Sequence, residues 1–565
     1  MNRQTVLITL WIITLLVACG PMATPEPTDT PLATAEPTHA QLPTVIPVTP
    51  SAVETAWWND AVFYEIFVRS FYDGDGDGNG DLAGLIQKLD YLNDGNPTTT
   101  NDLGITGIWL MPIVQSPSYH GYDVIDYYSV EKDYGSNEDF RTLVAGAHER
   151  GIRVIVDLVL NHTSSAHPWF LDAIAGPDTE YHDWYVWNDE DPGYVGPWGQ
   201  KVWHRRGEAY YYALFWDQMP DLNYLNPEVT RQMYDVARFW LAEMGADGFR
   251  LDAIQHLIED GPRQAGTPQT HAWLAGFDQF TDEISPQALA VGEVWADTAE
   301  VAPYIVNDEL DLAFEFSLAE AILNSVAVNS PTAFHKCLGT VLKSYPPGQY
   351  ATFLTNHDQN RVMNQLGGNS EKARLAATIL LTLPGVPFIY YGEEIGMTGQ
   401  KPDTMIRTPM QWSADQYAGF TIGWPWQPVN KDRGMMNVAT ESADPTSLLN
   451  RYRQLIHLRN EHIALRRGEL IPLESTCPPM YGYLRHHPEE TVLVILNFSA
   501  EEQTGCAFSL SQSSLRPGSY TAQELLHGVE VEGLTVDEKG GFSGYAPVAT
   551  QTPWEGYILL LKPER

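Results

Sequence analysis

The sequence predicts an α/β protein: a closed parallel (β/α)8 barrel that carries a subdomain inserted after its third strand and is followed by a smaller antiparallel β domain. Three observations predict this. From Trp57 onward short apolar runs alternate with helical patterns, and eight such runs argue for a barrel. About 60 residues rich in Trp, Tyr, Asp and Gly separate the third run from the next helix, far more than an ordinary crossover uses. Beyond residue 468 the apolar period changes from helical to alternating, as in half-buried strands.

Taken in chain order, residues 1–18 read as an export signal. Arg3 precedes thirteen uncharged residues from Val6 to Ala18, too short a run to span a bilayer comfortably but suited to a signal core. The run ends in LVACG, which resembles the bacterial lipobox, so Cys19 is expected to become the lipid-modified N-terminus of an extracytoplasmic, membrane-anchored protein. Residues 19–56 form a tether: eight Pro and seven Thr lie between Pro21 and Pro50, a composition that cannot bury enough surface to fold.

The barrel is expected in two parts, 57–160 and 223–468, around an insertion at 161–222. Its eight strand candidates are 61–71, 104–113, 152–162, 246–254, 287–295, 310–316, 349–358 and 386–394. The helix before the fourth is the clearest: Asn226 caps it, Pro227 fits its first turn, an apolar stripe runs from Met233 to Met244, and Gly245 stops it. Residues 448–465 are helical, and within 469–565 the runs ETVLVILNF and GYILLLKP read as strands. Of the four cysteines, Cys477 and Cys506 are close enough in sequence to pair, but their spacing fits no zinc motif.

Composition narrows the partners. There are 33 basic and 72 acidic residues, a net charge of −39, which repels a phosphate backbone and excludes nucleic acid. A neutral or cationic partner is expected, and a monomer. Seventeen Trp and 28 Tyr supply flat amphipathic rings of the kind that suit sugar faces, although such rings also simply fill cores.

In such a barrel the reactive groups belong at the C-terminal ends of the strands. Those positions are polar here: Asp157, Asn161 and His162 end the third strand, Arg250 and Asp252 the fourth, Glu293 the fifth, and Asn356, His357 and Asp358 the seventh. Arg250 and Asp252 are two apart and share a side of their strand, so the guanidinium can hold the carboxylate ionised as a nucleophile. Glu293 on the next strand is placed to be a general acid, its pKa raised by Asp252 and Asp358.

DLVLNH (157–162), GFRLDAIQH (248–256), VGEVW (291–295) and FLTNHD (353–358) together resemble, in order and spacing, the four signature regions of glycoside hydrolase family 13, the α-amylase family. The resemblance covers about Trp57 to Arg565 and implies a barrel, an inserted B domain and a C-terminal β-sandwich. It implies Asp252 as nucleophile, Glu293 as acid/base and Asp358 as transition-state stabiliser. Arg250, His162 and His357 would bind the sugar at subsite −1, Tyr122 of HGYD would stack under it, and His256 would lie on the leaving-group side. An α-glucan or maltooligosaccharide is the implied substrate. Finer signals divide. MPDLN (219–223) resembles a group between oligo-1,6-glucosidases and neopullulanases, many of them α-amylases; RTPMQW (407–412) and AGFT (418–421) resemble α-glucosidases. The small Ala253 after the nucleophile resembles α-1,4 cutters, and Gln255-His256 departs from the Lys-His of many amylases. Asp123 stands where exo-acting α-glucosidases grip a terminal glucose. An endo-acting amylase is favoured; an exo-acting α-glucosidase or transglycosylase, and a noncatalytic glycan-binding surface lipoprotein, are the alternatives.

The stretch DGDGDGNGD (73–81) places Asp73, Asp75, Asp77 and Asp81 at alternate positions with Gly78 sixth, like the start of a calcium-binding EF-hand loop. The twelfth position is Gly84 rather than glutamate, and the loop follows a strand. It resembles instead the structural Ca2+ site of oligo-1,6-glucosidases, with Asn79 adding its backbone carbonyl.

Overall fold

The structure is a computed structural model that describes residues 56–564, so the signal, Cys19 and the tether lie outside the described residues. Each of the eight predicted runs contains a strand of one parallel sheet: β1 (Phe63–Ile66), β2 (Gly107–Leu110), β3 (Arg153–Leu158), β4 (Gly248–Leu251), β5 (Leu289–Gly292), β6 (Leu312–Ala313), β7 (Ala351–Thr352) and β8 (Val386–Tyr390). They follow one another in the order β6-β5-β4-β3-β2-β1-β8-β7, and a parallel bridge from Phe314 to Ala351 joins the two edges. The strands are shorter than the apolar runs. In 61–71 the extended stretch ends at Ile66 and the chain turns helically over Val68–Phe71.

Register explains where the chemistry sits. Side chains alternate along a strand, so every second residue faces the barrel interior. Phe63, Trp109, Ile155, Leu289 and Leu312 pack together there as an apolar floor. Two residues beyond Phe63 and Ile155 on the same strands come Glu65 and Asp157, and Asp157 is level with Arg250 on β4. The barrel is therefore a plug of hydrocarbon with a layer of buried charge above it.

Between β3 and β4 the chain forms a three-stranded antiparallel sheet of Trp187–Asn188, Ala209–Tyr212 and Trp203–Arg206, with a small core of Val202, Trp203, Tyr212 and Leu214. Bridges from His162 to Asp221 and from Tyr185 to Leu222 tie it to the end of β3. Helix α1 (Pro227–Arg238) follows; the Asn226 side chain caps it by accepting from the Glu228 N–H, one π-turn over Phe239–Glu243 extends it, and Gly245 turns the chain at φ +82°.

After a helix at Leu448–Glu461 comes a six-stranded antiparallel sheet that includes Glu490–Asn497 beside Gly556–Pro563. A second, three-stranded sheet (474–475, 508–510, 542–545) faces it across a separate apolar core. Cys477 and Cys506 form a disulfide there, with Cα atoms 5.5 Å apart. Arg485, fully buried, donates from this sheet to the Thr382 carbonyl of the barrel, and the buried Arg459 of the preceding helix donates to the carbonyls of Leu381, Leu383 and Gly385.

Candidate active site

Arg250 organises the barrel mouth. It is buried, and its Nη1 lies 2.8 Å from Asp157 Oδ1 and 2.8 Å from Asp252 Oδ1 while Nη2 lies 2.6 Å from Glu293 Oε2. One guanidinium thus holds carboxylates from β3 and from the ends of β4 and β5. Such charge-assisted bonds fix geometry as well as charge. The backbone adds a further constraint: Ala253 sits in the left-handed region at φ +47°, and its N–H points at Glu293 Oε2, 3.2 Å away. A β-branched residue would be strained in that conformation, which gives a physical reason for a small side chain after Asp252.

A second chain of charge meets the first through Tyr122. Its hydroxyl lies 2.7 Å from His357 Nε2 and donates to Asp157 Oδ2 at 3.0 Å. His357 Nδ1 pairs with Glu65 Oε1 at 2.6 Å, and its Nε2 is 3.2 Å from Asp358 Oδ2. Arg407 closes the chain, bonding Asp358 Oδ1 at 2.7 Å and the His357 carbonyl at 2.9 Å. Burial works against a charge on His357, but Asp358 and Glu65 outweigh it and raise its pKa to about 9. Burial likewise opposes the Asp358 anion, yet His357 and Arg407 hold it far below the usual carboxylate range. Glu293 goes the other way: burial raises its pKa, Asp252 and Asp358 add to the rise, and Arg250 only moderates it. Two carboxyls in one pocket are thus pushed apart, Asp358 toward the anion and Glu293 toward the acid.

Asp252, Glu293 and Asp358 line one cavity of about 860 Å³ with Tyr122, His162, His256 and Arg407. Trp198 and Trp295, 63% and 52% exposed, stand among its walls. His162 Nε2 donates to the Tyr122 carbonyl at 3.1 Å and His256 Nδ1 to the Gln264 carbonyl at 2.7 Å, because a carbonyl can only accept, so backbone orients both rings. Burial lowers both histidines' pKa values. Asp123 Oδ1 accepts from the Ser116 hydroxyl at 2.7 Å and from Ser118. Asn161 donates to Asp221 of the inserted segment. Glu65, Trp109, Asp157 and Arg407 were not assigned roles by sequence reasoning. Asp157 and Arg407 lay within noted motifs; Glu65 and Trp109 read as ordinary strand residues.

The acidic turn sits apart from this cavity. Carboxylate oxygens of Asp73, Asp75 and Asp81 lie within 4.8 Å of one another. Asp77 lies outside that group, its Oδ1 accepting the Asn79 N–H, and the Asn79 side chain is taken by Arg69.

Residues 65–468 match the α-amylase catalytic domain. The chain belongs to the α-amylase family. Alpha-amylase 3 of Dictyoglomus thermophilum is 40% identical over 79% of this chain and 86% of its own length, and an oligo-1,6-glucosidase of Parageobacillus thermoglucosidasius is 33% identical over 79% and 91%. Among solved structures, an α-amylase from H. orenii superposes with a TM-score of 0.77 at 41% identity, covering 89% of this chain and 99% of that one. Family membership makes the chain a glycoside hydrolase; relatives named as amylases, glucosidases and trehalose-acting enzymes leave its bond open.

Proposed function

We propose that the protein is an endo-acting α-amylase that cleaves α-1,4 bonds of starch and maltooligosaccharides with retention of configuration. The observation that carries this is Arg250, whose two arms hold Asp252 and Glu293 in one cavity. That close hold suits a retaining pair, which needs carboxyls roughly 5 Å apart. Asp252 attacks C1 as Glu293 protonates the leaving oxygen; Glu293 then takes a proton from water, whose oxygen displaces Asp252 from C1. Asp358, kept anionic by His357 and Arg407, faces the positive charge that develops on the ring.

Endo action is supported by Asp123, whose Oδ1 is taken by two serine hydroxyls and so is less available to grip a terminal glucose. The 40% identity to an α-amylase points the same way. A maltoheptaose blocked at its non-reducing end tests this: internal cuts are expected by product chromatography. An untouched blocked substrate, with the free one trimmed to glucose, would make the enzyme an exo-acting α-glucosidase.

We infer that the acidic turn holds Ca2+ through Asp73, Asp75 and Asp81. The donor set fits a hard cation, being all oxygen, and among the described residues no Lys or Arg forms an ion pair with these three. A bound ion would supply structural bracing, remote from the reacting atoms. The LVACG motif supports export and anchoring through Cys19; Cys19→Ser should move the enzyme from the membrane fraction to the soluble one, and continued membrane retention would refute the anchor.

A further inference from the structure

On the outer face beside the acidic turn, Trp424 is 80% exposed and Ile422 92%. A large ring left in water forgoes the burial that drives folding, so an exposed Trp held in place calls for an explanation. This one is held in place. Its ring meets the half-buried Tyr417, with centroids 5.5 Å apart and planes at 53°, so the two form an open angle. The Gln416 amide donates to the Tyr417 hydroxyl, and the Asp415 and Gln416 side chains beside it are exposed.

The backbone under the pair is fixed from several sides. Ala418 takes the left-handed conformation at φ +57° and exchanges bonds with Asp415 and Trp412, while the Phe420 N–H bonds the Tyr417 carbonyl. The Trp426 N–H bonds the Gly78 carbonyl, and the Phe420 carbonyl accepts from Asp73. At Gly78 a Cβ would lie 2.0 Å from the Trp424 carbonyl oxygen, so only glycine allows this approach. Two residues beyond Trp424, Trp426 stacks on Tyr119 at 5.4 Å, and the adjacent His120 lines the cavity wall.

We propose that Tyr417 and Trp424 form a second α-glucan-binding surface, which grips the polymer outside the cavity where it is cut. The inference rests on the α-glucan reading above. Its chemistry is that of a sugar platform: two preorganised amphipathic rings for the C–H faces, with amide and carboxylate groups at the rim for the hydroxyls. The net charge of −39 disfavours an anionic occupant, whereas a neutral glucan meets no such barrier.

The test is affinity electrophoresis of the full-length protein through gels containing soluble starch, with Asp252→Asn present to keep the starch intact. Adding Tyr417→Ala and Trp424→Ala should weaken retardation by at least about threefold, while Trp424→Tyr, which keeps an aromatic face, should retain it. In the active enzyme the double substitution should lower kcat/KM on starch severalfold and leave maltotriose, a short substrate, within about twofold of the parent. Equal retardation of parent and double variant overturns the platform alone. Loss of self-association by sedimentation, with starch retardation unchanged, also overturns it and assigns the surface to a second copy. If the Asp252→Asn parent does not retard in starch and the active enzyme does not cut it, the platform and the α-glucan reading fall together.

Discussion

The barrel mouth and the acidic turn both gather carboxylates, and they stabilise them in different ways. At the mouth the reacting carboxylates and their neighbour have cationic partners: Asp157, Asp252 and Glu293 share Arg250, and Asp358 has His357 and Arg407. In the turn the partners are neutral, mostly backbone N–H groups with the Thr421 hydroxyl on Asp73. Asp73 accepts from Gly76 and Gly78, and Asp81 accepts from Gly74 and Gly84. Amide dipoles orient a carboxylate without cancelling its charge, so the turn keeps its net field for a cation from outside. The mouth sets side-chain cations unevenly against its carboxyls, which tunes individual groups to be nucleophile, acid and anion. Catalytic poise and metal bracing are thus written with the same residue type and separated by what faces it.

The largest expected effect breaks the mouth alone. Asp252→Asn keeps shape and removes the nucleophile, so kcat on maltoheptaose should fall by about 10⁴-fold or more, roughly 5 kcal/mol of transition-state stabilisation. Steady-state assay with a folded-state check by circular dichroism measures it, and hydrolysis at the parent rate would end the assignment. The matching change in the turn, Asp73→Asn, should leave kcat within a fewfold at low temperature.

How much of this contrast was legible in the sequence differs between its halves. Strand ends in a barrel point at one place, so Asp252, Glu293 and Asp358 could be brought together from their positions on the fourth, fifth and seventh runs. The groups that tune them were harder to see. Glu65 reaches His357 across 292 residues, and inside FYEI it reads as one polar residue in a strand. Arg407 belongs to RTPMQW, legible as a specificity marker but not as the partner of Asp358, because a loop beyond β8 has no periodicity that fixes its aim. In the turn, alternate spacing suggested five ligands. Spacing does not fix the backbone of a glycine-rich loop: Asp73, Asp75 and Asp81 cluster, while Asp77 Oδ1 accepts the Asn79 N–H and the Asn79 side chain, though not the backbone carbonyl expected as a ligand, is held by Arg69. The Tyr417–Trp424 pair was illegible for the same reason.

The next effect is on stability against pH. His357 has a folded pKa raised to about 9 from an ordinary value near 6.5, so its ion pairs stabilise the fold fully below about 6.5, and that contribution is lost as pH rises through 9. Two and a half units correspond to roughly 3 kcal/mol. Glu65→Gln removes one of the two carboxylates responsible, so the variant should lose less stability than the parent between pH 6 and 10. Denaturant melts across that range test it; parallel curves for parent and variant would show that Glu65 does not hold the charge on His357.

The smallest effect separates members of the turn from one another. If Ca2+ binds only the folded state at about 100 times its Kd, it adds about 2.7 kcal/mol, and a chelator should lower Tm by a few degrees. Asp73→Asn should lower Tm by itself and abolish the further response to chelator, because Asp73 is buried and central to the cluster. Asp77→Asn should change stability by no more than a surface substitution does, about 0.5 kcal/mol, and keep the chelator response, since its carboxylate stands outside the triad. Scanning calorimetry with and without chelator distinguishes the two. Equal loss of response in both variants would return Asp77 to the ligand set and place the ion nearer the tip of the turn; no response in the parent would leave the carboxylates as a backbone-held turn whose field is balanced by solvent alone.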